Sequence, residues 1–225
     1  DSEKYGPSNY SIYMNKDYGN VKGFTFSLTK RYDRVTKTSA FIDYTYQLTE
    51  GNSVASGSFY YNALSGEEEE KRIVPLSWDQ RHILNSSVSI GDPGNWNLGL
   101  ISKLSSGWPY TPNIPDANYI PLSNSGRKPW QWRVDMRLHK NFKVGNFQYI
   151  LYAKVYNLLD RRNERYVFND TGRSGYTFVS QSTQETKGFV DHYGESGVHT
   201  WSEYQVRPQY YTAPRSINIG FSLDF

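Results

Sequence analysis

The sequence predicts an all-β protein, and three observations carry that prediction. Apolar and polar residues alternate with a period of two along most of the chain, as in strands whose two faces meet different surroundings. Long polar connections alternate with short turns, which is typical of an up-and-down antiparallel sheet. Of the 225 residues only 37% are hydrophobic, yet 16% are aromatic. A transmembrane antiparallel β-barrel accounts for all three observations, because its strands are apolar on the outer face and polar on the inner face.

The clearest predicted strand lies at 130–139. One of its faces carries Trp130, Trp132, Val134, Met136 and Leu138, and the other carries Gln131, Arg133, Asp135, Arg137 and His139. A helix with 3.6 residues per turn would scatter both sets around its surface. Seven further segments alternate similarly, at about 10–14, 24–28, 41–49, 81–90, 95–104, 147–155 and 216–225.

The connections between these segments differ in length. We expect short turns at 32–35, 91–94 and 143–146, and long polar loops at about 51–79, 107–129 and 161–213. In outer-membrane barrels the long loops are extracellular, and a strand crosses the bilayer in about 9–11 residues. A mean hydropathy of −0.73 therefore excludes membrane helices but not membrane strands. A soluble β-sandwich also alternates and is the alternative fold.

The residue types present exclude several kinds of chemistry and partner. The chain has no Cys, which excludes disulfides, Cys-ligated metals and thiol catalysis. Its net charge of +3 does not indicate a nucleic-acid partner. The four histidines form no HExxH pair, and neither a GxSxG elbow nor a P-loop occurs, so we expect no enzyme, no metal and no cofactor. His82 and His139 are placed on inner strand faces, and the glutamate run 67–70 is interpreted as a solvated loop tip rather than a calcium site.

Loop 161–213 is the best candidate for ligand binding. Loops longer than about 15 residues are usually functional or disordered, and Tyr, Trp and Arg are typical anchors of binding surfaces. The candidate residues are Arg165, Tyr166, Arg173, Tyr176, Trp201, Tyr204 and Arg207. Arg81 and Arg133 are expected to line the upper lumen, where they would attract an anionic ligand. The alternative is that the loop residues only fold the loop onto its neighbours or onto a partner lid.

Tryptophan also invites two interpretations. Trp96, Trp130 and Trp132 are ring-bearing positions at which a carbohydrate would stack. Their alternation with strand-face residues favours lipid-facing positions instead, because amphipathic rings prefer the level of the lipid headgroups. We therefore expect them to belong to an aromatic girdle.

Several strings resemble the C-terminal part of TonB-dependent outer-membrane receptors. WDQRH (78–82) opens a strand, GWPYTP (107–112) follows one, and RVDMRLHKNFKVGNFQYILYAKVYNLLDRRN covers 133–163. DYGNVKGFTFSLTKR (17–31) resembles the strand that follows the N-x-G turn of that family. The ending NIGFSLDF is similar to its barrel-assembly signal, at Asn218, Gly220, Leu223 and Phe225. The match runs in order from about Asp17 to Phe225, apart from the long loops.

The resemblance implies a barrel of about 22 strands plugged by an N-terminal domain, of which residues 1–225 would form about eight strands. Such a receptor binds and imports a bulky nutrient, namely a siderophore, cobalamin, a glycan or a peptide. The implied partners are outer-membrane lipid, the plug and N-terminal barrel strands, and TonB acting through the plug. A surface lipoprotein lid is a further candidate partner.

These 225 residues contain neither a plug nor a TonB box. Two interpretations therefore stay open. The chain is a C-terminal fragment or separate chain of such a receptor, or it is a complete eight-stranded barrel with a structural or adhesive role. An even strand count suits both, and the order of the matching strings favours the receptor.

Overall fold

The computed structural model describes residues 18–52, 72–113, 121–145, 147–178, 203 and 205–224. The strands in these ranges are β1 (Gly19–Asp33), β2 (Thr38–Gly51), β3 (Val74–Pro75), β4 (His82–Asp92), β5 (Trp96–Ser105), β6 (Pro109–Tyr110), β7 (Gly126–Arg127), β8 (Gln131–Val144), β9 (Phe147–Tyr156) and β10 (Ser216–Asp224). A one-turn 3-10 helix covers Pro208–Tyr210. Within the described ranges, no helix has the length and apolar character needed to cross a membrane.

Eight of these strands form one antiparallel sheet. Its order is β1-β2-β4-β5-β8-β9-β10, and the short β3 pairs with the end of β2. β6 and β7 form a separate two-stranded hairpin inside predicted loop 107–129. The seven long strands match seven predicted segments, whereas predicted segment 10–14 lies outside the described residues. The prediction of an all-β antiparallel protein is confirmed, although the eighth strand of the sheet is β3, within predicted loop 51–79.

Short turns and long connections alternate at opposite ends of the sheet. The short ones are 34–37, 93–95 and 145–146. The first lies two residues beyond the predicted 32–35, because Asp33 still pairs with Thr38 and its carboxylate accepts hydrogen bonds from the amides of Val35 and Thr36, both at 3.1 Å. The second lies later than the predicted 91–94, because Asp92 still pairs with Trp96.

The strand register gives the sheet one apolar and one polar face. Directly paired residues of neighbouring strands point to the same side, so a row of partners can be followed across the sheet. One row of the apolar face reads Ala40, Val88, Leu100, Met136, Val155 and Ile217. One row of the polar face reads Ser39, Ser89, Gly99, Arg137, Lys154 and Asn218. The two sides of each strand, predicted separately, thus join into two continuous surfaces.

The apolar face is open in the described part of the chain. Val74 and Val155 are the only buried hydrophobic residues there. Exposed large side chains of the apolar face are Phe24, Phe26, Leu28, Ile90, Trp96, Trp132, Leu138, Phe142, Val144, Phe147, Leu151, Ile217, Ile219, Phe221 and Leu223. The described residues are therefore held together by the backbone ladder of the sheet rather than by two packed layers.

One predicted strand face is wrong. His82 lies on the apolar face rather than an inner polar face, because it pairs directly with Tyr46. Its ring stacks on Trp130 at 5.5 Å, and its Nδ1 lies 2.9 Å from the Tyr44 hydroxyl. An imidazole hydrogen-bonded to a phenol and packed between rings is accommodated on an aromatic surface. His139, by contrast, lies on the polar face opposite Asn97, as predicted.

Candidate functional site

Two buried asparagines hold the base of loop 161–213 beside the start of β8 and the end of β9. The Asn163 side chain accepts a hydrogen bond from the Trp132 amide and donates one to the Trp132 carbonyl, both at 2.9 Å. Because a side-chain amide carries both an acceptor and donors, it imitates the edge of a neighbouring strand. Asn157, at a left-handed φ of 53°, donates to the carbonyls of Arg161 (3.2 Å) and Ala213 (3.0 Å). The beginning and the end of the loop are thus tied together.

The carboxylate of Glu164 holds the first part of this loop together. Glu164 accepts a hydrogen bond from the Ser174 amide at 2.6 Å and pairs with the Arg173 guanidinium at 2.7 Å. Its carboxylate raises the pKa of Arg173 above the usual value. Gly172 has a φ of 67°, and any Cβ there would lie 2.2 Å from the Tyr110 hydroxyl. The segment therefore packs tightly against the β6–β7 hairpin.

Exposed rings and cations meet beside this folded segment. The half-exposed Tyr166 ring has the Lys128 ammonium at 5.8 Å and the Arg165 guanidinium at 5.5 Å from its centre. Tyr166 packs on Tyr210 at 5.9 Å, and the Arg207 guanidinium lies 5.8 Å from the Tyr210 ring. We call Lys128, Arg165, Tyr166, Arg207 and Tyr210 the cation–ring cluster. Three cations beside two rings form a positively charged, partly apolar surface.

The electrostatics of the cation–ring cluster favour an anionic ligand. The Lys128 ammonium donates to the Arg165 carbonyl at 3.1 Å, and its partial burial lowers the pKa of Lys128. A cation that has lost part of its water gains more from a bound anion than a fully hydrated one does. The nearby Glu164 carboxylate is already paired with Arg173. The cluster is suited to a ligand with negative charge and a planar or apolar surface.

A buried carboxylate connects the other two long loops. Asp79 is fully buried and accepts a hydrogen bond from the Thr49 amide at 3.0 Å. It also pairs with the Arg127 guanidinium, and Arg127 donates to the Asp79 carbonyl at 2.7 Å. Arg81 approaches the same carboxylate at 3.5 Å. Asp79 therefore joins β2, the start of β4 and β7, which fixes the hairpin strand that directly precedes Lys128 of the cation–ring cluster.

The structure brings together only some of the predicted ligand residues. Arg165, Tyr166 and Arg207 belong to the cation–ring cluster, and Arg173 adjoins it through its pair with Glu164. Tyr176 is exposed and contacts Phe178 at 5.9 Å. These placements fit both open interpretations of the loop, since some side chains fold it and others lie open.

The remaining predicted residues lie elsewhere. Arg81 is committed to Asp79, and Arg133 lies on the polar face, where its Nε donates to Asp135 at 2.8 Å. Trp201 and Tyr204 lie outside the described residues. Within those residues, no group of three or more His, Asp or Glu side chains is arranged to hold a metal ion.

Sequence reasoning missed Lys128, Asp79 and Asn163. Lys128 belongs to predicted loop 107–129, so no local pattern connects it with a ring 38 residues away. Asp79 was visible in the WDQRH string, where an acid beside a strand start indicates a loop anchor. Asn163 ends the long string at 133–163 and carried no other signal.

Three positions of the expected assembly signal lie on β10. Asn218 pairs with Lys154 on the polar face, and Leu223 pairs with Tyr149 on the apolar face. Gly220 pairs with Tyr152, and a Cβ there would lie 2.5 Å from the Tyr152 ring. This close approach explains a glycine in physical terms. Phe225 lies outside the described residues.

Comparisons with known proteins give no relative. No protein family, no curated protein and no solved structure matches the chain.

Proposed function

We propose that the chain forms part of a β-barrel wall in a bacterial outer membrane. In this proposal it belongs to a receptor similar to the TonB-dependent family, which binds and imports a bulky nutrient: a siderophore, cobalamin, a glycan or a peptide. The polar face lines the lumen, the apolar face contacts lipid, and the long loops contact the nutrient outside the cell. Energy coupling through TonB and a plug would involve sequence beyond these 225 residues.

The observation that carries the proposal is the open apolar face. It continues across all seven long strands, and no second layer covers it in the described part of the chain. Soluble monomers rarely expose an apolar patch of more than about 300–600 Å². Six strands at a spacing of about 4.8 Å span about 24 Å, and a strand length of about 34 Å gives this face an area of roughly 800 Å². A sheet whose other face carries Arg133, Asp135 and Arg137 has the apolar-out, polar-in arrangement of a membrane barrel.

The height of the apolar face supports the same conclusion. Trp132 and Phe142 lie on the apolar face of β8 near its two ends. The ten residue steps from one position to the other span about 34 Å along the strand, and about 26 Å across the bilayer for a strand tilt of about 40°. The apolar band of such barrels is about 25 Å tall. The two rings therefore have the spacing of two aromatic girdles.

Rings near the loop end form a chain across three strands. Phe24 contacts Tyr46 at 5.7 Å, Tyr46 contacts His82 at 5.2 Å, and His82 stacks on Trp130 at 5.5 Å. Near the turn end, Phe142 stacks on Tyr149 at 5.4 Å. Amphipathic rings prefer the level of the lipid headgroups, so both groups support the proposed placement.

The sheet edges support a larger assembly. Among the described strands, β1 pairs only with β2 and β10 only with β9. An unpaired backbone edge is not tolerated in lipid, so each edge needs a partner strand. The proposal assigns these partners to further strands of the receptor. Pairing of β1 with β10, or of both with a strand from 1–17, would instead give the self-contained barrel.

Fluorescence quenching in lipid vesicles tests the membrane placement. We expect brominated phospholipid to quench a large part of the tryptophan emission of the full chain. Trp96→Phe with Trp132→Phe should remove much of the quenched fraction, because both rings lie on the apolar face. Trp108→Phe, a loop tryptophan, is the matched control and should leave it unchanged. Absence of quenching in the unsubstituted chain would refute the placement.

Gel migration separates the two barrel interpretations. A self-contained barrel purified alone in detergent should migrate as a compact, heat-modifiable monomer. A receptor fragment should not, because its two edges lack their partner strands. A compact monomer would therefore contradict the receptor proposal and support a structural or adhesive role.

A further inference from the structure

Cations face each other directly on the polar face. Lys103 on β5 pairs with Arg133 on β8, and Arg137 on β8 pairs with Lys154 on β9. The Cβ atoms of directly opposed residues are about 4.5–5.5 Å apart, and like charges at this separation destabilise a sheet. The two cation pairs are separated along β8 by one residue of the polar face. Their mutual repulsion therefore indicates a surface that is stabilised by negative charge from a binding partner.

Among the described residues, an acid of the sheet neutralises Arg133 but none of the other three cations. The Asp135 carboxylate accepts hydrogen bonds from Arg133 Nε and from the Asn157 amide, both at 2.8 Å. Asp43 accepts the Ser27 hydroxyl at 2.6 Å. Lys103 and Arg137 are exposed and have no ion-pair partner among the described residues. These two side chains, together with Lys154, are unpaired positive charges of the polar face in the described part of the sheet.

An apolar hollow adjoins the cations. It has a volume of about 470 Å³, and Phe41, Ser87, Ile101 and Arg137 contribute to its lining. Phe41 and Ile101 are 41% and 61% exposed, although they lie on the polar face. Gly99 pairs with Arg137 and leaves space where a side chain would stand. This volume lies within the range of ligand pockets, about 300–1,000 Å³, and leaves room for an apolar side chain.

We propose that the polar face binds an acidic polypeptide segment, which inserts an apolar side chain between Phe41 and Ile101 and places carboxylates against Arg137, Lys154 and Lys103. Charge complementarity selects an acidic partner. The surface from Phe41 on β2 to Lys154 on β9 crosses four strand spacings, about 19 Å. A polypeptide segment spans this distance, whereas a small anion does not. The inference depends on register and charge, not on what covers the apolar face.

Peptide binding to the full chain in non-ionic detergent tests this proposal. The probe is a fluorescein-labelled peptide with one central leucine flanked on both sides by glutamates and glycines, measured by fluorescence anisotropy. We expect saturable binding that weakens as salt rises, because the contacts are ionic. Arg137→Gln should weaken binding about fivefold, the effect of one partly exposed ion pair. Ile101→Ser should weaken it about tenfold through lost apolar contact.

Matched controls separate this site from general attraction. Lys140→Gln removes the same charge from the same strand but on the apolar face, and it should leave the affinity unchanged. A peptide with glutamines in place of the glutamates should bind at least about tenfold more weakly. Equal binding of the two peptides, or equal effects of Arg137→Gln and Lys140→Gln, would overturn the proposal. Displacement of the peptide by an equal concentration of inorganic phosphate would assign the site to a small anion and would also overturn it.

Discussion

A lysine at the middle of the apolar face tests the proposed membrane placement most directly. Leu138 lies on β8 between Trp132 and Phe142, where it pairs with Leu98 and Ala153 and is 40% exposed. The next residue, His139, points to the polar face. The substitutions Leu138→Lys and His139→Lys therefore place the same charge on adjacent residues of one strand but on opposite sides of the sheet.

The expected magnitudes follow from depth in the bilayer. A lysine on the lipid face costs about 2–4 kcal/mol at the bilayer midplane and about 0–1 kcal/mol near the interface. Leu138→Lys should therefore lower the folding equilibrium in vesicles by a factor of about 30 to 800. Val144→Lys, on the same face at the turn end, should cost about 1 kcal/mol or less. His139→Lys should stay within about 0.5 kcal/mol of the parent chain, as exposed substitutions usually do.

Urea-dependent folding into phospholipid vesicles provides the assay, followed by tryptophan emission and by β-sheet circular dichroism. The depth profile is the diagnostic result, because a soluble protein with a covered apolar face would respond to burial rather than to distance from the turn end. Leu138 is 40% exposed and Val144 is 59% exposed, so burial alone predicts only a modestly smaller cost for Val144→Lys than for Leu138→Lys. Equal destabilisation by Leu138→Lys and Val144→Lys, or a larger cost for His139→Lys, would refute the membrane placement.

The loops give three further predictions. Asp79→Asn should destabilise the hairpin that contains Arg127 by about 2 kcal/mol, because it removes the charged partner of a partly buried guanidinium. Faster proteolysis within 107–130 would show this destabilisation, and an unchanged cleavage rate would contradict it. Asn163→Ala should cost about 1–3 kcal/mol and reduce the hydrogen-exchange protection of the Trp132 amide, so unchanged protection would count against the strand-like contact. Burial raises the pKa of Tyr110. The protonated phenol therefore stabilises the fold below pH about 10, and this contribution is lost as the pH rises through the folded-state pKa. Tyr110→Phe should flatten the decline in thermal stability between about pH 9 and pH 11, and an equally steep decline in the variant would exclude this cause.

Much of the sheet was predictable because alternation of side chains is a local property. Successive residues of a strand point to opposite faces, so the two faces can be identified from neighbouring residues alone. Seven predicted segments correspond to long strands. His82 shows the limit of reasoning from residue type, since its polar ring suggested an inner face although its even position already matched Leu84 and Val88. The turn bounds were wrong by two residues because Asp33 and Asp92 remain paired at the strand ends.

The loops were less predictable, because their contacts join residues distant in sequence. Arg127 pairs with Asp79 and Lys128 lies over Tyr166, contacts separated by 48 and 38 residues. Composition alone indicated rings and arginines in loop 161–213, but it did not separate Arg173, which holds the loop through Glu164, from Arg165, which lies beside the Tyr166 ring. The different roles of the two arginines depend on tertiary contacts within the folded loop.

The amino-acid pattern alone determines that this protein has strands with an apolar and a polar side, joined by short turns at one end and long loops at the other. Alternation and turn residues act over a few positions, so they need no tertiary information. Tertiary structure alone decides that the apolar sides form one surface, which no other described residues cover, and that Lys103 and Arg137 each face another cation. Both follow from strand register, which hydrogen bonding between distant segments sets for the whole sheet at once.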